Sequence, residues 1–146
     1  MLWFEYFPFS ESTIDYRTIF DFGNGVETDN FVVDFKDNDI EIFIYGSQYS
    51  VQKMPIHFAK WTHLAVTYSN NNFFYFLDGI QLNTLTKSFN DIERTKNYIG
   101  ASSWDQNGQK KIYATYDEMK IFDRALTVEE IAVEKDKAQP FDIIQF

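Results

Sequence analysis

Apolar and polar residues alternate with a period of two along most of the chain, which predicts a protein built of β-strands. Turn residues separate the alternating runs, and Asp78-Gly79 predicts a two-residue type I′ hairpin, because both central positions of that turn need a positive φ. We predict strands at Leu2–Phe7, Arg17–Phe22, Asn30–Phe35, Ile40–Tyr45, Trp61–Tyr68, Phe73–Leu77, Ile80–Thr84, Tyr98–Gly100 and Ile112–Phe122.

One helix is predicted near the end of the chain. Thr127 and Glu130 have the spacing of a capping box, and Leu126 and Ile131 stand at the two hydrophobic-staple positions. The helix is expected to run to about residue 138 and to stop before Pro140. The tail 141–146 alternates again, which fits either a last edge strand or a frayed terminus.

Composition supports a β protein of a single domain, residues 1–146. The chain has 16 Phe and 9 Tyr, residues that favour half-buried pleated surfaces. Its 146 residues suffice to bury roughly 70% of the surface that the unfolded chain exposes. Many strands followed by one short helix predict an all-β, antiparallel sandwich with a single C-terminal helix.

The charge limits the classes of partner. A formal net charge of −9 repels phosphate, so nucleic acid, heparin-like polymers and anionic membranes are poor partners, whereas neutral sugars, calcium and basic protein surfaces remain open. The chain has no cysteine, which excludes disulfides and thiolate chemistry. It shows neither a signal peptide nor a membrane-spanning run, and we expect an excised domain, a short subunit of an assembly or a cytoplasmic protein.

Four blocks of sequence together resemble the laminin-G-like domains of the concanavalin-A-like lectin/glucanase superfamily. The blocks are WTHLAVTY (61–68), FLDG (76–79), IG (99–100) and DEMKIFDRAL (117–126) with EEI (129–131), and TIFDFG (18–23) and WF (3–4) extend the likeness. The resemblance implies a jelly-roll β-sandwich that recognises a ligand without catalysis. It also implies an extracellular or cell-surface location if the parent protein is secreted.

The resemblance also points to a difference at the front of the chain. Members of the family usually have one or two strands before the position of Trp3, and these are missing here. An open pairing edge invites another chain. We therefore expect the gap to be filled by the tail 141–146, by the parent protein or by a partner.

Asp117 is the candidate metal ligand. It shares strand parity with Met119 and Ile121, which predicts that it lies on a buried face, where a carboxylate needs a hydrogen bond or a cation. Three interpretations stay open. Asp117 is a structural aspartate bonded to backbone amides, a calcium ligand completed by oxygens from loops such as 23–30, or a residue whose parity is misassigned.

The loop 102–108 is the candidate ligand-binding site. Trp104 supplies an aromatic face for the C–H side of a sugar ring, and Asp105, Gln106 and Asn107 supply polar groups for its hydroxyls. The alternative is that Trp104 folds back over the sheet edge as a plug.

The remaining polar residues predict structure rather than chemistry. His63 is expected to be a hydrogen-bonded structural residue, and with His57 its spacing does not predict a two-histidine metal site. Acidic residues at 21, 29, 34 and 37–41 are expected to be solvated turns. Asp117 and Glu118 are adjacent and so face opposite ways on a strand, while Glu41 stands alone; neither gives the carboxylate pair of a glucanase.

Two functions follow from these observations. The first is a non-catalytic module that binds carbohydrate or a glycosylated surface through the Trp104 loop, with calcium as a candidate cofactor. The second is a structural module that docks other proteins through an open sheet edge.

Overall fold

The computed structural model describes residues 1–6, 16–36, 39–45, 50–55, 60–105, 112–137 and 140. These residues form ten strands and one helix: β1 Leu2–Tyr6, β2 Arg17–Gly23, β3 Phe31–Lys36, β4 Asp39–Ile44, β5 Ser50–Pro55, β6 Thr62–Ser69, β7 Asn72–Leu77, β8 Ile80–Thr86, β9 Lys96–Ile99, β10 Ala114–Asp117 and α1 Val128–Lys137. None of the helices in this part of the chain is long and apolar enough to cross a membrane.

The chain divides into two compact units. The first unit contains Met1–Glu5, Ala59–Lys87 and Thr115–Phe146, and its five-stranded sheet has the order β10-β1-β6-β7-β8. Two hairpins join β6, β7 and β8. The second hairpin turns at Asp78 (φ 50°) and Gly79 (φ 81°), so the predicted type I′ turn is confirmed.

The helix belongs to the first unit and begins as predicted. The backbone amide of Thr127 donates to Glu130 Oε2 (2.9 Å), and the amide of Glu130 donates to Thr127 Oγ1 (3.3 Å), which completes the capping box. Leu126 and Ile131, the staple pair, are both buried and pack with Ala65 and Phe76. The helix therefore packs on one face of β6 and β7, and a small apolar core lies between the helix and these strands.

The second unit contains Tyr6–Phe58 and Ser88–Ala114, and its sheet has the order β5-β4-β3-β2-β9. Antiparallel register sets Val33 opposite Ile42 and Phe35 opposite Ile40, and these four side chains are buried. We call this side the apolar face of the sheet. Because side chains alternate along a strand, the residues between them point to the other side, which we call the polar face.

Most predicted strands are confirmed to within two residues, and two predictions were wrong. The strand β5 was missed, because Lys53 and Pro55 interrupt the apolar alternation that marks the other strands. The strand predicted over 112–122 ends at Asp117, because Glu118 has a φ of 48°, a left-handed conformation that stops the ladder. The tail 141–146 lies outside the described residues.

The expected open edge at the front of the chain is not at β1. In the first sheet β1 is bordered on one side by β6 and on the other by β10. The edges of this sheet are instead β10 and β8.

Candidate functional site

A row of aromatic rings lies along the second unit. Trp104 packs on Tyr45 with ring centroids 5.0 Å apart, Tyr45 is 6.3 Å from Phe43, and Phe43 is 5.4 Å from Tyr16. Phe43 and Tyr45 are two residues apart, so both point to the polar face. Trp104, Tyr45 and Tyr16 are half-buried, whereas Phe43 is buried.

One polar and three charged side chains form a second row on the same face. Register places Thr18 opposite Asp34, Asp34 opposite Glu41, and Glu41 opposite Lys53. Thr18, Asp34 and Glu41 are all buried. The ammonium group of Lys53 lies 2.5 Å from a Glu41 carboxylate oxygen, and this bond raises the pKa of Lys53. Carboxylates and aromatic rings therefore share one side of the sheet.

These positions correct two sequence-based interpretations. Asp21 and Asp34 lie within strands and are buried, so they are not solvated turns. Glu41 is not alone, since it faces Asp34 on one side and Lys53 on the other. Strand register, which joins residues distant in the sequence, produces both results.

The buried carboxylate of Asp21 anchors the loop that carries Trp104. One oxygen accepts the side-chain amide of Asn30 (2.7 Å), and the other accepts Ser102 Oγ (3.1 Å) and the backbone amide of Ser103 (2.7 Å). Ser102 Oγ in turn accepts the backbone amide of Trp104 (3.2 Å). These bonds hold the backbone that presents the indole ring to Tyr45. Sequence reasoning missed this role of Asp21.

The other residues of the predicted loop are only partly described. Asp105 is half-buried, and its Oδ1 atom is buried with no hydrogen-bond partner in the described part of the chain. Gln106 and Asn107 lie outside the described residues. The contact with Tyr45 fits a packed Trp104, while the half-exposed ring keeps a surface for a ligand, so both interpretations of Trp104 retain support.

The predicted burial of Asp117 was wrong. Asp117 is exposed, and Tyr116 takes the more buried position on β10. Because the strand ends at Asp117, its parity does not continue to Ile121, which is 80% exposed. Asp117 Oδ1 accepts the backbone amide of Glu118 (2.8 Å). Within the described ranges, His, Asp and Glu side chains form no group of three or more that suits a metal ion. Calcium binding at Asp117 stays a prediction.

His63 is a buried residue of the first unit. Its backbone amide donates to Asp78 Oδ1 (2.9 Å), and its carbonyl accepts the amide of Asp78 (2.8 Å). Its ring packs against Trp3 with centroids 5.1 Å apart. Burial, aided by the amino terminus, lowers the pKa of His63 to about 4. The backbone bonds fit a structural residue, although the ring Nδ1 has no partner among the described residues. His57 lies outside the described residues.

A groove of about 320 Å³ runs beside α1 in the first unit. Its apolar floor includes Phe122, Leu126 and Val133. Its charged walls are paired internally, since Glu130 binds Arg124 at 2.6 Å and Glu134 binds Lys137 at 2.7 Å. The groove therefore presents few free charges to a ligand.

Comparison with known proteins gives the family. Residues 3–132 match the family model for laminin-G-like domains of the concanavalin A-like lectin/glucanases superfamily. The chain belongs to this family. The two antiparallel sheets and the short helix are accordingly those of a concanavalin-A-like β-sandwich, and the predicted fold class is confirmed. Laminin-G-like domains are generally non-catalytic binding modules, although the superfamily includes glycosidases.

Other comparisons add little about function. No protein with curated annotation matches the chain. Among solved structures, the laminin-G-like chain is similar to an S-layer domain-containing protein (residues 221–444) from Clostridium thermocellum, with 23% identity and a TM-score of 0.48. The match covers 87% of this chain and 66% of that one, so this chain spans slightly less than two thirds of the solved protein.

Proposed function

We propose that this laminin-G-like domain is a non-catalytic carbohydrate-binding module whose ligand binds against Trp104 and Tyr45. The observation that carries the proposal is the half-exposed Trp104 ring, held on the aromatic row by the loop that Asp21 anchors. A ring fixed in this way loses little conformational freedom on binding, which favours affinity.

The chemistry of the polar face suits a sugar. Aromatic rings bind the apolar C–H side of a pyranose, and the partly exposed Trp104 and Tyr45, whose ring centroids are 5.0 Å apart, are the members of the aromatic row that a ligand can reach. The half-buried carboxylate of Asp105 and the exposed ammonium group of Lys53 supply a hydrogen-bond acceptor and donors for hydroxyl groups.

Charge narrows the ligand to neutral or basic glycans. The net charge of −9 opposes sulfated and phosphorylated polymers. Glycosylated surfaces outside the cell offer neutral glycans, and this supports an extracellular or cell-surface role in adhesion.

A glycan array, followed by titration calorimetry with the best ligand, tests the proposal. We expect Trp104→Ala to weaken binding at least tenfold, a change of about 1.4 kcal/mol, because the stacking surface is removed. Phe122→Ala is the matched control, since Phe122 is a partly exposed aromatic residue of the other unit and its loss should leave affinity unchanged. Uniformly flat binding across the array would refute the carbohydrate claim.

Running the array with calcium and with EDTA tests the candidate cofactor. If calcium is a cofactor of the binding site, the affinity for the glycan should fall in EDTA and return when calcium is restored. Equal binding in both buffers would remove calcium from the proposal while leaving carbohydrate recognition in place.

The absence of catalysis needs its own measurement, because Asp34 and Glu41 face each other on the polar face. Glycosidases use two carboxyl groups, one of which must donate a proton to the leaving group, whereas the carboxylate of Glu41 is buried and paired with Lys53. We expect no new reducing ends after long incubation with the bound glycan. Hydrolysis that Glu41→Gln abolishes would contradict the non-catalytic assignment.

A further inference from the structure

One buried asparagine is connected to both aromatic residues of the proposed ligand-binding site. The backbone carbonyl of Asn30 accepts the backbone amide of Tyr45 (2.8 Å), and its side-chain amide donates to Asp21 Oδ1 (2.7 Å). Asn30 and Asp21 are both fully buried. Because the other oxygen of Asp21 holds the loop that carries Trp104, Asn30 joins the backbone of Tyr45 to that loop.

The side-chain amide of Asn30 can make these contacts in one orientation only. Its oxygen accepts the backbone amide of Thr28 (2.9 Å), and its nitrogen donates to the Asp21 carboxylate. A backbone N–H only donates, and an ionised carboxylate only accepts. An exchange of the amide oxygen and nitrogen would therefore lose both hydrogen bonds. Asn30 thus holds Asp21 on one side and the loop 24–29 on the other.

Gly23 leaves the space that this amide occupies. Gly23 follows Asp21 by two residues on β2, so both residues face the same side of the sheet. A Cβ atom at position 23 would collide with Nδ2 and Cγ of Asn30. The φ angle of Gly23 is not in the left-handed region, so the Asn30 amide, and not the backbone conformation, excludes a side chain here.

We propose that Asn30 and Gly23 are positioning residues that set the spacing between the rings of Trp104 and Tyr45. Both are buried, so they act through Asp21 and the backbone of Tyr45 and not by touching a ligand. Loss of the bond between Asn30 and Asp21 removes one of the three donors that hold the Asp21 carboxylate, and the Trp104 ring is then free to leave Tyr45. The inference rests on the proposed function, since it concerns the same site.

Asn30→Asp tests the bond to Asp21 through its dependence on pH. The exchange keeps the oxygen that Thr28 needs and replaces the donor with a second carboxyl group. Two buried carboxyl groups in contact share a proton at low pH, which restores the bond, and repel each other when both ionise. We expect acrylamide quenching of Trp104 to equal that of the wild type at about pH 5 and to exceed it at least about twofold by about pH 9.

The fluorescence of Trp104 must be separated from that of the other two tryptophans, and subtracting the spectrum of each protein carrying Trp104→Phe does this. Wild-type quenching should stay constant with pH, because Ser102 and Ser103, the other partners of Asp21, do not titrate. Asn97→Asp is the control, since it makes the same exchange at an exposed position of β9 and should behave as the wild type does.

Gly23→Ala tests the same contact without a titrating group. The added methyl group should displace the Asn30 amide at every pH, so quenching of Trp104 should be high at about pH 5 as well. Circular dichroism reports whether the variant folds. If it does not, Asn30→Asp carries the test, because its protonated form retains every hydrogen bond of the wild type.

Glycan affinity should follow the quenching. We expect Asn30→Asp to bind as the wild type does at about pH 5 and at least tenfold more weakly at about pH 9. Wild-type quenching in Asn30→Asp across this pH range and in folded Gly23→Ala would overturn the proposal. A wild type that binds no glycan would refute the proposed function instead, and the quenching would still decide whether Asn30 and Gly23 position Trp104.

Discussion

At the scale of single residues, buried polar groups contribute to the stability of the fold and hold the candidate site in place. Asp21 illustrates this, because its carboxylate is fully buried and accepts three hydrogen bonds. Two come from Ser102 and Ser103, about eighty residues away. A buried carboxylate is stable only with such partners. The loop of Trp104 is therefore tied to the interior of the second unit.

His63 makes stability depend on pH. Its pKa is lowered to about 4 in the folded protein, against 6.5 for an ordinary histidine, so the unfolded chain binds the proton more tightly. Stability is therefore complete above about pH 6.5 and is lost as the pH falls towards 4. Urea unfolding at pH 7 and pH 5 should show that the wild type loses about 2 kcal/mol more than His63→Gln, which does not titrate. Equal losses would contradict the buried neutral imidazole.

The sequence suggested Trp104 as a candidate ligand-binding residue, but it did not indicate the charged residues on the same face of the sheet. Aromatic and amide residues in one loop are visible by inspection, and the role of Trp104 in ligand binding stays a prediction. Glu41, by contrast, is placed beside Asp34 and Lys53 by the register of three strands. Register depends on the packing of whole strands, so single-chain periodicity could not reveal this row.

At the scale of elements, those that depend on neighbouring residues were predicted correctly from the sequence, whereas those that depend on pairing with a distant strand were not. The hairpin at Asp78-Gly79 and the capped helix α1 both follow from residues within four positions of each other. The strand β5 depends instead on the neighbouring strand β4, since its own sequence is weakly patterned. The left-handed Glu118, which ends β10, has no signal in the sequence.

The helix cap gives a prediction at this scale. Thr127→Ala removes the hydroxyl that accepts the Glu130 amide and should lower the free energy of unfolding by about 1 kcal/mol. Thermal or urea unfolding measures the change. Thr115→Ala, an exposed position on β10, serves as the comparison and should change stability by less than about 0.5 kcal/mol. If the two variants lose the same stability, the capping box is not what stabilises α1.

At the scale of the whole molecule, charge governs association. A chain of net charge −9 should pass through a heparin column without retention at about 0.15 M salt, where the Debye length is roughly 8 Å. Elution of the protein in the flow-through, beside a basic protein that binds, is the expected result. Retention that salt reverses would contradict this prediction.

The two units are assembled from interleaved pieces of the chain. The first unit takes three segments and the second takes two, so the chain passes between units four times. Neither unit is a continuous stretch of sequence, and an isolated fragment such as 60–87 lacks β1, its partner in the sheet. Proteins dominated by such distant pairings fold slowly, in milliseconds to seconds.

Because the units are interleaved, some strands must wait during synthesis on the ribosome until their partner strands are translated. The strand β1 is translated about 60 residues before its partner β6, a delay of roughly 3–12 s at the usual rate of elongation. Until then Leu2, Trp3 and Phe4, all buried in the finished protein, have no sheet to join. We expect the nascent chain to bind ribosome-associated chaperones during that interval. The folded protein should not bind them, because these three side chains are then buried.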